Sequence, residues 1–164
     1  MAEQYPRRKR IRLPEFDYNS VGAYFITICT KDREQTLSRV SVGTTIGRPP
    51  TVTLTRYGVI VEDAIQQITD HYPEALIDHY VIMPNHIHII LRLDCEDGRA
   101  MLVPTISRII QQMKGYVSKR IGHSIWQRRF YDHVIRNEED YRSIWEYIDN
   151  NPARWTEDEY YTES

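Results

Sequence analysis

The chain lacks a long apolar run, and it has only two cysteines among its 164 residues. A membrane-spanning helix needs about 20 consecutive apolar residues, and no run in this sequence approaches that length. Cys29 and Cys95 form no Cys-x-x-Cys pair. We therefore expect reduced thiols in a cytoplasmic protein, not a disulfide framework and not a membrane span.

Two common kinds of catalytic loop are also missing from the sequence. It contains no glycine-rich phosphate loop and no Gly-x-Ser-x-Gly elbow, which argues against a P-loop nucleotide-binding protein and against a serine hydrolase. Internal repeats and low-complexity segments are absent too. At this length the chain is expected to form one domain with an ordinary hydrophobic core.

Charge is unevenly distributed along the chain, although the formal net charge is only −2. Residues 1–13 hold five cations and one acid, and residues 99–137 hold eight cations against Asp132 alone, whereas residues 138–164 hold nine acids and two arginines. A basic surface matters more for nucleic-acid binding than a basic total. The alternative is ordinary solvated helix surface. The candidate DNA-binding residues are Arg7, Arg8, Lys9, Arg10, Arg12, Arg108, Lys114, Lys119, Arg120, Arg128 and Arg129.

Hydrophobic periodicity predicts four main strands and three helices. The predicted strands are residues 24–30, 76–83, 86–93 and 130–135, and the predicted helices are residues 56–70, 104–121 and 137–151. Residues 36–55 suggest a short hairpin or excursion. The order βαββαβ predicts a ferredoxin-like α+β sandwich with an antiparallel sheet, to which the last helix is a C-terminal addition. Helices on one face would leave the other face free for a ligand.

The predicted organisation has three parts. Residues 1–20 read as a basic N-terminal arm, because they are polar and lack periodicity. Residues 21–155 form the domain, and residues 156–164 form an acidic tail.

Two histidines begin the predicted strand at residues 86–93. Side chains alternate between faces along a strand, so His86 and His88 should share one face while Ile87 points away from it. Neutral imidazole is among the commonest metal ligands, and the pair would supply half of a metal site. The alternative is a pair of surface histidines on a half-exposed strand.

The closing helix offers a phenol and a carboxamide one turn apart. Tyr147 and Asn151 are neighbours on the flank of the apolar stripe of that helix. Asn151 is therefore a candidate third metal ligand, and Tyr147 is a candidate nucleophile. The alternative is a tyrosine that packs on the sheet and an asparagine that ends a helix. Tyr116 is expected only to pack, because the residue one turn after it is Arg120 and not an amide.

These motifs resemble those of a known family. His86-Ile87-His88 is similar to the His-hydrophobic-His signature of the HUH single-strand nucleases, and residues 147–152 resemble the tyrosine helix of their single-tyrosine transposases. The greatest similarity is to the REP-associated tyrosine transposases and their relatives. It covers nearly the whole chain: residues 7–18 resemble the basic entry, residues 22–27 the first strand, and residues 126–136 the strand that leads to the tyrosine helix.

The resemblance implies a metal-dependent transposase that cuts single-stranded DNA near hairpins. Tyr147 would attack a phosphodiester, become linked to the 5′ phosphate and free a 3′ hydroxyl. His86, His88 and Asn151 would hold one Mg²⁺ or Mn²⁺ ion; several relatives have glutamine at the last position, and asparagine also occurs there. The implied partner is single-stranded or hairpin DNA. Relatives include dimers and monomers, so a homodimer stays open.

Two other functions stay open at this point. A non-catalytic ferredoxin-like nucleic-acid-binding module fits the uneven charge and the free sheet face equally well. A metallohydrolase of small phosphoesters would use the metal without a DNA scaffold.

Overall fold

The computed structural model describes residues 22–43, 47–94 and 104–163. The whole of the predicted basic arm, residues 1–20 with their five cations, lies outside the described residues. The predictions for those cations are therefore not addressed by the structure. They are Arg7, Arg8, Lys9, Arg10 and Arg12.

The described part of the chain forms six strands, three α-helices and two short 3-10 helices. Strands β1 to β6 span Gly22–Cys29, Ser38–Ser41, Thr51–Leu54, Ala75–Ile82, His86–Leu93 and Tyr131–Ile135. Helices α1 to α3 span Arg56–His71, Ile106–Ile121 and Glu138–Asn150. The 3-10 helices are Lys31–Arg33 and Pro152–Glu157. Within these ranges, none of the helices combines the length and the apolarity that a membrane span requires.

The main sheet has four strands in the order β4-β5-β1-β6, and each neighbouring pair is antiparallel. With α1 between β1 and β4, and α2 between β5 and β6, this confirms the predicted ferredoxin-like α+β sandwich. Strands β2 and β3 pair with each other in a separate two-stranded sheet. That pair lies within residues 36–55, where a short hairpin or excursion was predicted.

The two faces of the main sheet carry different layers. On β5, Ile87, Ile89 and Leu91 belong to the core that packs against α1 and α2. The alternate residue Ile90 packs instead against residues of α3. Because side chains alternate along a strand, α3 lies on the face opposite α1 and α2. The face predicted to be free is therefore partly covered by the added helix.

Local sequence explains where α3 begins and ends. The Asn137 side chain accepts a hydrogen bond of 2.8 Å from the Asp140 backbone amide and so caps the N-terminus of the helix. Three acids in the first turn complement the positive end of the helix dipole. Pro152 follows directly after Asn151 and begins the short 3-10 helix that turns the chain back.

Gly58 allows a close approach between α1 and the chain before β2. A Cβ at this position would lie 2.1 Å from the Leu37 carbonyl oxygen and 3.2 Å from Leu54 Cβ. We expect Gly58→Ala to lower the free energy of unfolding by about 1–3 kcal/mol, because backbone must shift. The control is Gly115→Ala in α2, where nothing lies within 4 Å and roughly 0.5–1 kcal/mol should be gained. Urea denaturation measures both; an unchanged midpoint for Gly58→Ala would contradict the close approach.

Candidate active site

His86 and His88 lie side by side under α3 on the same face of the sheet. Their relative exposures are 0% and 1%, and their ring centroids are 4.6 Å apart. The predicted shared face is confirmed. The alternative of two surface histidines is wrong, because both side chains are buried.

The orientation of His86 follows from Asn85. The Asn85 side-chain amide Nδ2 donates to the carbonyl oxygens of Tyr160, at 2.7 Å, and Arg33, at 3.2 Å. Its Oδ1 therefore faces His86 Nδ1, 2.8 Å away, and accepts a hydrogen bond from it. With the proton on Nδ1, the Nε2 lone pair of His86 points into the site.

Two buried acceptor atoms in this site lack a donor. His86 Nε2 and Asn151 Oδ1 have no hydrogen-bond partner among the described residues. Asn151 Nδ2 donates to Asp158 Oδ2 at 2.7 Å, which fixes the amide, and the same carboxylate oxygen lies 3.9 Å from His86 Nε2. Buried acceptors without a donor are costly. A cation held between them would satisfy both, so the residues present fit a metal ion.

Asp158 is the functional candidate that the sequence analysis missed. One ligand atom each from His86, His88 and Asp158 lies within 4.8 Å of the others, as a metal site requires. Asp158 belongs to residues 156–164, which were predicted to be an acidic tail. The one signal that points to it is a carboxylate seven residues after Asn151, beyond the turn at Pro152.

Tyr147 lies at the edge of this cluster. Its hydroxyl is 3.5 Å from His88 Nε2, and the two rings are 5.2 Å apart. The other ring nitrogen of His88, Nδ1, is 2.8 Å from Thr27 Oγ1, which holds the imidazole in place. Phe25 stacks on His88 and meets Tyr147 edge-on. The structure thus brings together the predicted nucleophile and all three predicted ligands.

Burial sets the protonation of the cluster. It lowers the pKa of His86 to about 3; the Asn151 side chain opposes this effect, and the positive charge of Arg33 adds to it. Burial also lowers the pKa of His88 well below its usual value, with a further contribution from His86. Burial raises the pKa of Asp158, against hydrogen bonds from the Tyr160 backbone and the Asn151 side chain. Both imidazoles are neutral at pH 7, as metal binding requires.

Residues 158–162 follow the 3-10 helix at Pro152–Glu157 and lie across the two histidines; we call this segment the strap. Arg33 donates to the Glu159 carbonyl oxygen at 2.9 Å, and its guanidinium lies 5.3 Å from the centre of the Tyr160 ring. Gln35 donates to Thr162 Oγ1 at 3.2 Å. Tyr160 is 5% exposed and its ring lies 4.6 Å from that of His86. The domain boundary at residue 155 stays a prediction, but part of the predicted tail covers the site.

Tyr116 lies in the other layer, between α1 and α2. Its hydroxyl donates to Asp63 Oδ2 at 2.6 Å and accepts from Arg120 at 2.9 Å. It packs against the core of α1 and α2. Tyr116 therefore packs as expected, and it also forms hydrogen bonds within the layer of α1 and α2.

The predicted DNA-binding cations in the described ranges are spread over two places. Arg108, Lys119 and Arg120 are exposed on α2, in the layer opposite the histidines, and Arg128 and Arg129 are exposed just before β6. Lys114 differs from these, because its ammonium donates to the Gln127 carbonyl oxygen at 2.9 Å. Burial lowers the pKa of Lys114 to about 8. The DNA-binding role of all six stays a prediction.

Comparison with known proteins gives related sequences and a related structure. No protein-family model matches the chain. An uncharacterized protein of Haemophilus influenzae is 34% identical over 95% of this chain and 94% of its own length. Another protein of that organism, named "Putative REP-associated tyrosine transposase", is 26% identical over 84% of this chain and 74% of its own length.

The solved structure of a REP-associated tyrosine transposase bound to a REP hairpin has the same fold. It superposes with a TM-score of 0.62 and 25% identity, over 93% of this chain and 73% of that chain. The related sequences and the shared fold both agree with the family resemblance of the motifs that contain His86, His88 and Tyr147. The chain belongs to the family of REP-associated tyrosine transposases.

Proposed function

We propose that this protein is a transposase that cleaves single-stranded DNA near hairpins and forms a 5′-phosphotyrosine intermediate. The observation that carries the proposal is the pair of buried acceptors, His86 Nε2 and Asn151 Oδ1, next to the Tyr147 hydroxyl. A cation site beside a phenol matches phosphodiester cleavage with a tyrosine nucleophile. The family relationship supports the same chemistry.

The proposed ligands of the cation are His86, His88 and Asn151. A bound Mg²⁺ or Mn²⁺ ion would polarise the phosphodiester and stabilise charge on the departing oxygen. Asp158 accepts from Asn151 Nδ2 and so turns the amide oxygen towards His86. We assign Asp158 as the residue that positions Asn151, with direct ligation as the alternative. Imidazole nitrogens and amide oxygens are neutral, so they leave the charge of a cation available to the substrate.

In the proposed reaction the Tyr147 oxygen attacks the phosphorus of a phosphodiester. The bond between phosphorus and the 3′ oxygen breaks, and that oxygen leaves as a hydroxyl with the proton given up by the phenol. The 5′ phosphate stays on Tyr147. An aryl phosphate stores the energy of the broken bond, so a 3′ hydroxyl can reverse the step or join another end.

The proposed substrate contacts combine several basic segments. The transposase of similar structure is bound to a REP hairpin, and we extend hairpin binding to this chain. Arg128 and Arg129 lie just before Phe130 and β6, whose Tyr131 lines the cavity beside Tyr147. Among the described cations they are the proposed phosphate contacts nearest the site, and the arm cations are proposed as further phosphate contacts. The exposed cations of α2 lie in the layer on the other side of the sheet. DNA bound at the site could contact them only by passing around the sheet.

The proposal is tested with a hairpin-bearing single strand labelled at one end or the other. With Mn²⁺ present, a label at the 3′ end should move with the protein, because the downstream fragment keeps its 5′ phosphate on Tyr147. A label at the 5′ end should appear on a free shorter strand, and chelation of the metal should stop both products. Attachment of the 5′-labelled fragment would refute the polarity. Salt-dependent DNA binding without any product would favour the non-catalytic binding module.

A further inference from the structure

A cavity of about 180 Å³ lies beside Tyr147, between the sheet and α3. Phe25 and Tyr131 line it from the sheet, Ser143 from α3, and Tyr160 from the strap. Tyr147 itself is part of the wall. The cavity is therefore continuous with the site of the proposed reaction, and none of the roles assigned above uses it.

The lining of this cavity does not suit a phosphate group. Asp140 and Glu159 both contribute to it, and carboxylates repel the phosphate of a DNA backbone. Besides Tyr147, the aromatic rings of Phe25, Tyr131 and Tyr160 line the same space. Nucleobases are uncharged, and they stack on aromatic side chains whatever their sequence. The side chains that line the cavity therefore suit a nucleobase.

His133 gives the cavity a fixed polar group. Its Nε2 lies 2.9 Å from Asp140 Oδ2, which also accepts from the Arg136 backbone amide at 3.3 Å. His133 stands directly across from Phe25 in the pairing of β1 with β6. The carboxylate fixes the orientation of the His133 ring, which lines the cavity together with the aromatic side chains.

The cavity is lined in part by an edge strand of the sheet. β6 is the outermost strand of the four-stranded sheet on the side of β1, and its Tyr131 and His133 line the cavity. In the described part of the chain, no further strand of that sheet lies beyond β6.

We propose that this cavity binds one unpaired nucleobase of the strand whose phosphodiester faces Tyr147. The inference rests on the proposed function and adds a recognition site to it. Because Asp140 and Glu159 accept hydrogen bonds, the site favours a base with an amino group over thymine, which has none. The base held here would fix the register of the strand, and so which phosphodiester is cut.

The test measures binding with Tyr147→Phe protein, which removes cleavage from the measurement. The fluorescent base 2-aminopurine is placed, one position at a time, in the single-stranded segments beside the hairpin. We expect one position to be strongly quenched on binding, because its base stacks on Phe25 and Tyr131. An abasic site at that position should weaken binding roughly 5- to 100-fold, the usual range for losing one stacked base. Thymine there should bind more weakly than a base with an amino group.

A matched pair of variants locates the quenching in the cavity. Ser143→Phe fills the cavity, and we expect it to remove the quenching. Arg142→Phe places the same side chain at the neighbouring exposed position of α3 and should keep it. Thermal melting and Mn²⁺ affinity report whether each variant is folded.

Two outcomes would overturn the base site. One is the absence of any quenched position, and the other is full quenching in a folded Ser143→Phe variant. The abasic and thymine substrates test the site even where Ser143→Phe does not fold, because they leave the protein unchanged. Quenching that is present while wild-type protein forms no covalent product would refute the proposed chemistry and leave the base site standing.

Discussion

Tyr147→Phe protein is expected to form no covalent product with hairpin DNA, whereas Tyr116→Phe protein should form it at the wild-type rate. Phenylalanine keeps the ring that packs edge-on against Phe25 and removes only the attacking oxygen. In the proposed mechanism the Tyr147 oxygen is the group that accepts the 5′ phosphate, so its removal should end product formation. Denaturing gels of the reaction with 3′-labelled DNA and Mn²⁺ measure the covalent product directly.

The Tyr116 variant is a suitable control because both tyrosines are half-buried and lie on helices. Tyr116 bonds to Asp63 between α1 and α2, in the layer away from the histidines. Loss of product in Tyr116→Phe and its retention in Tyr147→Phe would contradict the assignment of the nucleophile.

Removal of a cation ligand should have the second large effect. We expect His86→Ala to weaken Mn²⁺ binding more than about 100-fold, beyond the 10- to 100-fold usual for a residue that only orients a ligand. Asn151→Ala should also weaken Mn²⁺ binding strongly, because it removes Oδ1, the buried acceptor without a donor. Cleavage should fall in parallel. Isothermal titration with Mn²⁺ gives the affinities, and His79→Ala is the control, since His79 bonds to Asp149 on the exposed side of α3.

Two substitutions at Asp158 separate positioning from ligation. Asp158→Asn keeps an oxygen that can accept from Asn151 Nδ2, so it should retain most of the Mn²⁺ affinity if Asp158 only positions the amide. Asp158→Ala removes that acceptor and should cost roughly 10- to 100-fold. Equal, large losses in both variants would show that the carboxylate itself binds the ion. Unchanged Mn²⁺ affinity in His86→Ala would contradict the metal site as a whole.

The fold and the core of the site follow from local patterns in the sequence. Alternation along one strand places His86 and His88 on one face, and the one-turn spacing of Tyr147 and Asn151 places them together on α3. The order of strands and helices then predicts the antiparallel sandwich. Each of these predictions depends only on patterns among residues that are close together in the sequence.

Asp158 could not be predicted in this way, because its position depends on distant contacts. Arg33 bonds to the backbone of Glu159, 126 residues away, and Asn85 bonds to that of Tyr160. These contacts fold residues 158–162 back over the histidines. In the sequence alone, residues 158–162 are recognisable only as part of an acidic segment after Pro152.

A count of charges cannot distinguish an exposed cation from one used inside the fold. Lys114 carries the same charge as Lys119, but its ammonium holds the Gln127 carbonyl oxygen and lies under the Phe130 ring. Its neighbours come from the loop before β6, 13 residues further along the chain. Only the packing of that loop on α2 shows this.

The most direct test of the account is to identify the residue that carries DNA in the covalent product. The product is digested with protease and nuclease, and the modified peptide is sequenced by mass spectrometry. Because the chain has twelve tyrosines, the result discriminates sharply. We expect a nucleotide joined through its 5′ phosphate to Tyr147 alone. Attachment to any other residue, or through a 3′ phosphate, would contradict it.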